Sequence, residues 1–324
     1  MSNRDGGTSE QASEAKFEPL HTSNHSKAWL VSEGTWVYKT QKEQRGRSHV
    51  DVYEMHKKAY ESLRDAWRNG YTSQIPREIN IPKPFASIEA NDTKWWRETG
   101  HSIPEKIAPC SILVAQYIVP FERKIKTHLI HRLFSSREKK QLNRDEDFLI
   151  RPYLVFRPPG FERPLSLHNY PFYLDDMMRF EISKEDIISF ARTMAVGLAV
   201  LHWSGSMDGN GIEFVFAPNI HRRISPVWKN ERWKYVMWML DFDLVRPISH
   251  TKNGMKQAAK AFWDNDPYYP RPDNRDLWSD FKDQYLSESE ALIRRKHPQN
   301  ANQLINLSKT FIANVEMGMT GNRP

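Results

Sequence analysis

Apolar side chains recur at steps of three or four residues in several parts of the chain, which is the spacing of one helix face. The first such stripe lies in residues 51–68. The second begins after Ser183, which together with Asp186 resembles a capping box, and it runs to Leu201. We predict helices over both stripes. Further helices are predicted over residues 254–264, 276–296 and 300–316.

Other segments alternate between apolar and polar residues, or form short apolar runs bounded by turn residues, as β-strands do. The last two of them flank a basic connection that contains two tryptophans, which is consistent with a hairpin. The predicted strands cover residues 29–31, 35–39, 111–119, 214–216 and 236–240.

The order of these elements predicts an α+β protein with two lobes. Residues 1–16 are polar and rich in Ser, Gly and Glu, so we expect them to be disordered. A small mixed sheet-plus-helix N-lobe is predicted over residues 17–120, where Pro120 ends a strand. A mainly helical C-lobe is predicted over residues 121–324.

A glycine-rich polar loop, residues 204–216, leads from the long second helix into a strand. It contains Asp208, Asn210 and Glu213, and His202 precedes it. Functional side chains concentrate in loops that a rigid scaffold positions. We therefore expect this loop to form part of a functional site.

A second acidic segment, the Asp-Phe-Asp turn at residues 241–243, interrupts an apolar strand. Side chains two residues apart point to the same face of an extended strand, so Asp241 and Asp243 are expected to share one pocket. Two carboxylates in one pocket repel each other unless a cation neutralises them. The pair therefore predicts a cationic ligand.

The chain has 47 Lys and Arg residues against 40 Asp and Glu residues, a formal net charge of +7. This excess favours a polyanionic partner such as RNA, although a solvated, charge-rich surface explains it equally well. Three of the lysines recur every four residues and are expected on one helix face. The candidate contacts are Arg222, Arg223, Arg232, Lys234, Lys252, Lys256 and Lys260.

Cys110 is the single cysteine of the chain, so neither a disulfide framework nor a zinc site built on paired cysteines is expected. This cysteine usage indicates a reducing compartment. The N-terminus has no apolar signal core, and no run of about 18 apolar residues occurs. We predict a soluble, cytoplasmic protein with neither a membrane nor a DNA partner.

Several residues occur in the order typical of a kinase. They are a strand lysine, Lys39, a helix glutamate, Glu54, a loop aspartate, Asp208, and an Asp-Phe turn at Asp241. This order is similar to that of protein kinases and aminoglycoside phosphotransferases, in which such residues hold phosphates, act as the base and bind magnesium. The resemblance implies a two-lobed, kinase-like fold.

The chain departs from the kinase pattern at the places that hold nucleotide. Residues 31–36 carry one glycine where a phosphate-covering loop needs three. Glu213 stands where kinases have a magnesium-binding asparagine, and Asp243 replaces the glycine of the Asp-Phe-Gly turn. These departures put ATP binding in doubt.

Four strings in the second half of the chain are distinctive. They are Val200-Leu-His-Trp through Asp208, Gly211-Ile-Glu-Phe-Val, Trp238-Met-Leu-Asp-Phe-Asp and Ala261-Phe-Trp-Asp-Asn-Asp-Pro-Tyr-Tyr-Pro-Arg-Pro. They resemble the signature blocks of a fungal family labelled as a zinc-finger-protein-associated domain of unknown function, and the likeness extends over most residues from about 30 onward. Fungal arginine-containing cyclodipeptide synthases lie within or close to that family.

The resemblance implies an enzyme that condenses arginyl-tRNA with a second aminoacyl-tRNA into an arginine-containing diketopiperazine. The aminoacyl ester is already activated, so neither ATP nor any other cofactor or metal is expected. Such an enzyme must bind a guanidinium group, for which paired carboxylates are suited. It must also deprotonate an α-ammonium group, whose ordinary pKa is roughly 8.

Within this resemblance, Glu213 and Asp208 are predicted as the catalytic acid/base and ammonium-positioning pair. Asp241 and Asp243 are predicted to bind the guanidinium group, although the roles of the two pairs can be exchanged. Asn210 and His202 are added as substrate-binding residues, and a core position for His202 remains an alternative. The basic residues named above are predicted to bind tRNA.

Two other hypotheses remain open at this stage. The kinase order of Lys39, Glu54, Asp208 and Asp241 is compatible with a small-molecule phosphotransferase. A degenerate kinase-like body is also compatible with a non-catalytic regulatory or binding protein. The proline-rich aromatic string that ends at Pro272 is interpreted as a packing brace, with pocket lining as the alternative.

Overall fold

A computed structural model describes residues 16–22, 27–31, 35–40, 49–69, 79–104, 107–142, 148–218, 228–229 and 234–318. The contacts divide the chain into unit 1, Met1–His49 and Phe85–Tyr117, and unit 2, Val50–Pro84 and Ile118–Pro324. Each unit is characterised below by its described residues. The predicted disordered segment, residues 1–16, lies outside them except for Lys16.

The described residues form the helices and strands that the hydrophobic pattern predicts, together with shorter strands and helices that it does not predict. The strands are β1 (Phe17–Thr22), β2 (Lys27–Val31), β3 (Trp36–Thr40), β4 (Ile79–Asn80), β5 (Pro84–Ile88), β6 (Ile112–Gln116), β7 (Ile150–Pro152), β8 (Tyr170–Phe172), β9 (Glu213–Pro218), β10 (Trp228–Lys229) and β11 (Lys234–Leu240). The helices are α1 (His49–Arg68), α2 (Thr93–Glu98), α3 (Arg123–Leu133), α4 (Glu138–Gln141), α5 (Leu174–Arg179), α6 (Lys184–Trp203), α7 (Lys252–Asp264), α8 (Arg275–Lys296) and α9 (Ala301–Gly318). The predicted α+β class is confirmed.

Unit 1 is built on one sheet, in which the described strands follow the order β1-β2-β3-β6-β5. The pairs β1/β2, β2/β3 and β3/β6 are antiparallel. The buried face of the sheet carries Trp29, Ile112 and Val114, which pack with Trp96 of α2. The alternation that predicted these strands therefore reflects a sheet with one face on a small core.

Unit 2 contains a second sheet, of order β10-β11-β9-β7-β8, with β4 beside β11. The β9 and β11 strands pair antiparallel from Glu213 opposite Leu240 to Pro218 opposite Tyr235, which confirms the predicted pairing. The β7 strand continues the sheet through Ile150, which lies opposite Phe216. This sheet positions the residues of the candidate site.

Helix α6 is the central helix of unit 2. The Ser183 hydroxyl accepts a hydrogen bond from the Asp186 backbone N–H at 3.0 Å, which confirms the predicted cap. Every residue from Thr193 to Trp203 is buried, so this half of the helix is surrounded by protein on all sides. Gly197 allows close approach to β4, because a Cβ atom there would lie 2.8 Å from Ile79 Cδ1.

Helix α1 belongs to unit 2, whereas the predicted N-lobe, residues 17–120, included it. Its buried face carries Ala59, Leu63 and Ala66, which join the large core of unit 2. The His56 ring also stacks on Phe242 at 5.0 Å between centroids. The periodicity showed which face of the helix is apolar, but it could not show which core that face would join.

Candidate functional site

Residues 204–212, here called the acidic loop, connect α6 to β9. Three of its residues have positive φ angles, Ser206 at 49°, Gly209 at 68° and Gly211 at 75°. Glycine adopts this region without a steric cost, which explains the glycines at positions 209 and 211. The chain thereby turns sharply before Glu213, the first residue of β9.

The acidic loop is hydrogen-bonded to residues 241–248, here called the acidic turn segment. The backbone N–H of Asp208 donates to the Arg246 carbonyl oxygen at 2.9 Å, and the Ile248 N–H donates to the Ser206 carbonyl oxygen at 2.9 Å. In addition, Glu213 lies opposite Leu240 in the β9/β11 pair, one residue from Asp241. The structure therefore brings the two acidic segments of the sequence together.

Asp208 is buried, with 3% of its surface exposed, and both of its carboxylate oxygens accept hydrogen bonds. Oδ1 accepts from the backbone N–H groups of Asn210 at 3.0 Å and Arg246 at 2.9 Å. Oδ2 accepts from Gln257 Nε2 at 2.9 Å. These contacts make Asp208 a positioning residue that fixes the loop. Its catalytic role stays a prediction, and the saturation of both carboxylate oxygens does not favour it.

Asn210 also joins the two acidic segments, because its Nδ2 lies 3.4 Å from the Leu244 carbonyl oxygen. His202 is completely buried and lies 2.8 Å from the Tyr285 hydroxyl through Nδ1. Burial lowers the pKa of His202 to about 3, so the ring is neutral at physiological pH. His202 therefore has the core position that the sequence analysis gave as an alternative. A contact between His202 and substrate stays a prediction without support.

The predicted geometry of Asp241 and Asp243 is wrong. That prediction required an extended strand, but β11 ends at Leu240 and Asp241 has a φ of 64°, in the left-handed region. The rule that alternate residues share a face applies only within a strand. The two aspartates lie on a turn beside the acidic loop, and Phe242 between them is buried.

Asn265 holds the acidic loop from the other side. Its Nδ2 donates to the Gly209 carbonyl oxygen at 2.9 Å, and its Oδ1 accepts from the Gly211 backbone N–H at 2.6 Å. Arg271 donates to the Phe262 carbonyl oxygen at 2.9 Å, and its guanidinium carbon lies 4.6 Å from the centre of the Trp263 ring. The proline-rich aromatic string therefore braces the loop.

A polar cluster in the sheet of unit 2 surrounds Arg151 of β7. Its Nη2 donates to Glu213 Oε2 at 2.7 Å, and its Nη1 lies 3.7 Å from Asp266 Oδ2. The Tyr153 hydroxyl donates to the same Asp266 oxygen at 2.7 Å. We call these residues, together with the adjacent Tyr268, the Arg151 cluster.

The charges of the Arg151 cluster shift the pKa values of its members. Burial by itself would lower the pKa of Arg151, but the negative charge of Glu213 raises it, and the net shift is upward. Burial, followed by the hydrogen bond to Asp266, raises the pKa of Tyr153. Burial also raises the pKa of Tyr268, well above its ordinary value. The cluster consequently holds a charged arginine and neutral phenols.

Glu213 and Asp266 give this cluster two carboxylates of different accessibility. The Glu213 side chain is 22% exposed and that of Asp266 is 50% exposed, so both can meet a solute. An arginine between two carboxylates leaves a net negative charge, which attracts a cationic group. The cluster is therefore suited to bind an ammonium group.

Arg151 and Tyr153 were not among the residues predicted from the sequence. The sequence does carry one indication of this cluster, because Arg151 is a charged residue among the apolar residues of 148–155. A charge within an apolar strand requires a buried partner. The partner, Glu213, is distant in sequence and became apparent only through the β7/β9 pairing.

The predicted tRNA contacts are only partly described. Arg222, Arg223 and Arg232 lie outside the described residues. Lys234 is exposed at the start of β11. The α7 residues are exposed along one helix face, as predicted, and they are Lys252, Lys256 and Lys260.

Part of the chain matches the model of a known protein family. Residues 237–297 match a family of domains of unknown function that is described as a zinc finger protein. The matched segment runs from β11 through the acidic turn segment and α7 to the end of α8, so it includes Asn265 and Asp266. No curated protein matches the chain.

Two further observations concern the described part of the chain. It contains no group of three or more His, Cys, Asp or Glu residues arranged to hold a metal ion. None of its helices combines the length and apolar character needed to cross a bilayer.

Proposed function

We propose that this protein is a tRNA-dependent cyclodipeptide synthase, which condenses arginyl-tRNA with a second aminoacyl-tRNA in the cytoplasm to give a cyclo-Arg-Xaa product of secondary metabolism. The observation that carries the proposal is the Arg151 cluster, in which Glu213 and Asp266 lie around one guanidinium group. The resemblance of the surrounding strings to the fungal arginine-containing synthases supports the same activity.

The reaction forms two amide bonds and breaks two esters. The α-amine of one aminoacyl-tRNA attacks the ester carbonyl of the other, and the departing ribose oxygen leaves with a proton. The free amine of the resulting dipeptidyl-tRNA then attacks its own ester, which closes the six-membered ring and releases the second tRNA. Each attacking ammonium must first lose one proton to a base.

We assign the base to Glu213, which begins β9 and is partly exposed. Arg151 holds the Glu213 carboxylate in one orientation through the 2.7 Å hydrogen bond, and Asp266 offers a second carboxylate to a guanidinium or ammonium group. Asp208 and Asn265 act as positioning residues for the loop that delivers Glu213. Asp241 follows Leu240, the residue paired with Glu213, and can extend the anionic surface that Glu213 and Asp266 form.

We propose that the body is kinase-like, with Lys39 and Glu54 at their kinase positions in the chain. A small sheet-bearing unit and a mainly helical unit are compatible with that proposal. The assignment of α1, which carries Glu54, to unit 2 is a departure from it.

The test is cyclic dipeptide formation from purified components. The protein is incubated with a pool of charged tRNAs, and arginine-containing diketopiperazines are measured by mass spectrometry with and without RNase. We expect product that RNase abolishes. Absence of product from the wild-type protein with intact charged tRNA would refute the proposal, and magnesium-dependent ATP turnover in its place would favour a phosphotransferase.

A variant pair tests the role of the base. Glu213→Gln keeps the shape of the side chain but cannot accept a proton, so we expect product formation to fall by about 10²- to 10⁴-fold. Glu290→Gln makes the same change on the surface of α8, where Glu290 contacts Arg294, and serves as the control. Equal activity of the Glu213 variant and the control, with both folded by circular dichroism, would remove Glu213 from the mechanism.

A further inference from the structure

Unit 2 contains an open cavity of about 1290 Å³ between the end of α7 and the beginning of α8. Aromatic side chains and cations both line it. The aromatic ones are Phe156, Tyr173 and Trp263, and the cationic ones are Lys260, Arg271 and Arg275. Three carboxylates line it as well, those of Asp264, Asp273 and Asp276, so the lining carries both charge signs in equal number. A pocket that combines flat apolar rings with charges of both signs is suited to a nucleotide, which carries a planar ring, hydrogen-bond donors and a phosphate.

The Phe156 ring is placed to receive a planar group, and Trp263 in the same lining is held rigidly. Phe156 is 55% exposed and has no aromatic partner among the described residues. Trp263 is fixed in position, because its indole N–H donates to the Val315 carbonyl oxygen at 3.1 Å and the guanidinium of Arg271 lies over its ring. Nucleic-acid bases stack on exposed aromatic rings of this kind without regard to sequence.

A row of lysines leads to the cavity along α7. Lys260 lines it, and Lys256 and Lys252 follow at intervals of four residues towards the start of the helix, each about 6 Å from the next along the axis. The helix carries no acidic residue before Asp264, which pairs with Lys260 on the surface. Exposed pairs of this kind contribute little and exchange partners readily.

Acidic side chains in the same cavity are compatible with a nucleotide. Asp273 and Asp276 line it near the first turn of α8 and are exposed. Carboxylates accept hydrogen bonds from the amino groups of bases and from the 2′-hydroxyl of ribose. The same carboxylates repel free phosphate, so the chemistry favours the base and sugar inside the cavity and the phosphates on the lysine row.

We infer that this cavity binds the unpaired terminal nucleotide of an RNA strand, and that Lys260, Lys256 and Lys252 contact the phosphates that precede it. The identification of that strand with the acceptor end of tRNA rests on the proposed function. The binding of a single-stranded RNA end does not.

Binding is measured by fluorescence anisotropy with a labelled single-stranded RNA of about 10 nucleotides that ends in CCA, over a series of salt concentrations. Each lysine that contacts a phosphate contributes about 0.7 to the slope of log affinity against log salt for a single strand. We therefore expect Lys256→Ala to reduce that slope by about 0.7. Lys309→Ala, a matched change of an exposed lysine on α9, should leave the slope unchanged.

The aromatic contact is tested separately. Phe156→Ala should weaken binding by about 5- to 100-fold with an unchanged salt slope, since stacking releases no counterions. Phe161→Ala removes another half-exposed phenyl group that does not line the cavity, and it should bind like the wild type. Annealing the RNA to its complement pairs the terminal base and should weaken binding as Phe156→Ala does.

The inference is overturned if the wild-type protein does not bind the single strand, or if Phe156→Ala and Lys256→Ala bind as their controls do. Its failure is distinguishable from failure of the proposed function. Normal cyclic dipeptide formation by Phe156→Ala would remove the cavity from tRNA recognition and leave the synthase in place. RNA binding with the expected slopes but without any cyclic product would leave the RNA site and remove the synthase.

Discussion

Asn265 is the side chain whose removal should most directly release the acidic loop. It donates to the Gly209 carbonyl oxygen at 2.9 Å and accepts from the Gly211 N–H at 2.6 Å, and Asn265 itself is 8% exposed. Asn265→Ala deletes both hydrogen bonds and provides no replacement partner. The Gly209 carbonyl oxygen would then keep only the long 3.5 Å contact from the Ile212 N–H, and the N–H of Gly211 would lose the acceptor that Asn265 supplies.

The cost follows from the burial of these two backbone groups. Gly209 is buried and Gly211 is half-buried. A buried polar group that loses its well-formed hydrogen bond costs about 1–3 kcal/mol, and a half-buried one costs less because water reaches it. We expect Asn265→Ala to lower the free energy of unfolding by about 2–4 kcal/mol. Cyclic product formation should fall as well, because Gly211 precedes the proposed base, Glu213, by two residues.

The assay is urea denaturation followed by far-UV circular dichroism, with Asn69→Ala as the control. Asn69 also makes two hydrogen bonds, to the backbone and side-chain oxygens of Asp65, but both are exposed. Its removal should change the free energy of unfolding by less than about 0.5 kcal/mol. If Asn265→Ala is as stable as Asn69→Ala, the brace does not hold the loop and the reasoning fails.

Three other changes test the packing around the site. Asp208→Ala removes the acceptor of three hydrogen bonds and should lower the free energy of unfolding, measured by urea denaturation, by about 2–5 kcal/mol. Asp208→Asn should lower it by less than half as much, and equal losses would contradict a positioning role. His202 has its pKa lowered from 6.5 to about 3, so the unfolded chain binds a proton that the folded chain does not, and its contribution to stability is lost as pH falls from 6.5 towards 3. As the pH is lowered through this range, the free energy of unfolding of the wild type should therefore fall more steeply than that of His202→Phe, by up to about 1.4 kcal/mol per pH unit. Parallel profiles of the free energy of unfolding against pH would refute this. Gly254→Ala would place a Cβ atom 1.8 Å from the Ser249 carbonyl oxygen. We therefore expect the free energy of unfolding, measured by thermal or urea denaturation, to fall by about 1–3 kcal/mol although alanine has the higher helix propensity. A stabilised variant would contradict the clash.

Local signals predicted the long helices of unit 2 and its β9/β11 pair, but not its shorter helices and strands. The cap at Ser183 and the apolar stripe that follows it fixed the start and end of α6, because capping and burial of one face depend on neighbouring residues. The β9/β11 pair followed from two apolar runs joined by a polar connection. Asp208, Asn210 and Glu213 were correctly expected on a loop or at its end, and that loop does contact the second acidic segment.

The details of the site were less accessible from the pattern of the chain. Asp241 leaves the strand in a left-handed conformation, and the alternation of apolar and polar residues carries no signal for a positive φ at a residue other than glycine. The sequence predicted that Asp208 belongs to the catalytic pair, but Arg246 and Gln257 donate hydrogen bonds to its two carboxylate oxygens. These partners are almost 40 and 50 residues away in the chain.

The sequence by itself determined the α+β class, the five longest of the described helices and five of the described strands, because periodicity, capping and turn chemistry act over a few residues. The tertiary structure decided which carboxylates are available. Pairing of β7 with β9 set Arg151 against Glu213, and packing of the string around Asn265 fixed the loop. Contacts between residues distant in the chain depend on how the elements pack together, and no local pattern records that packing.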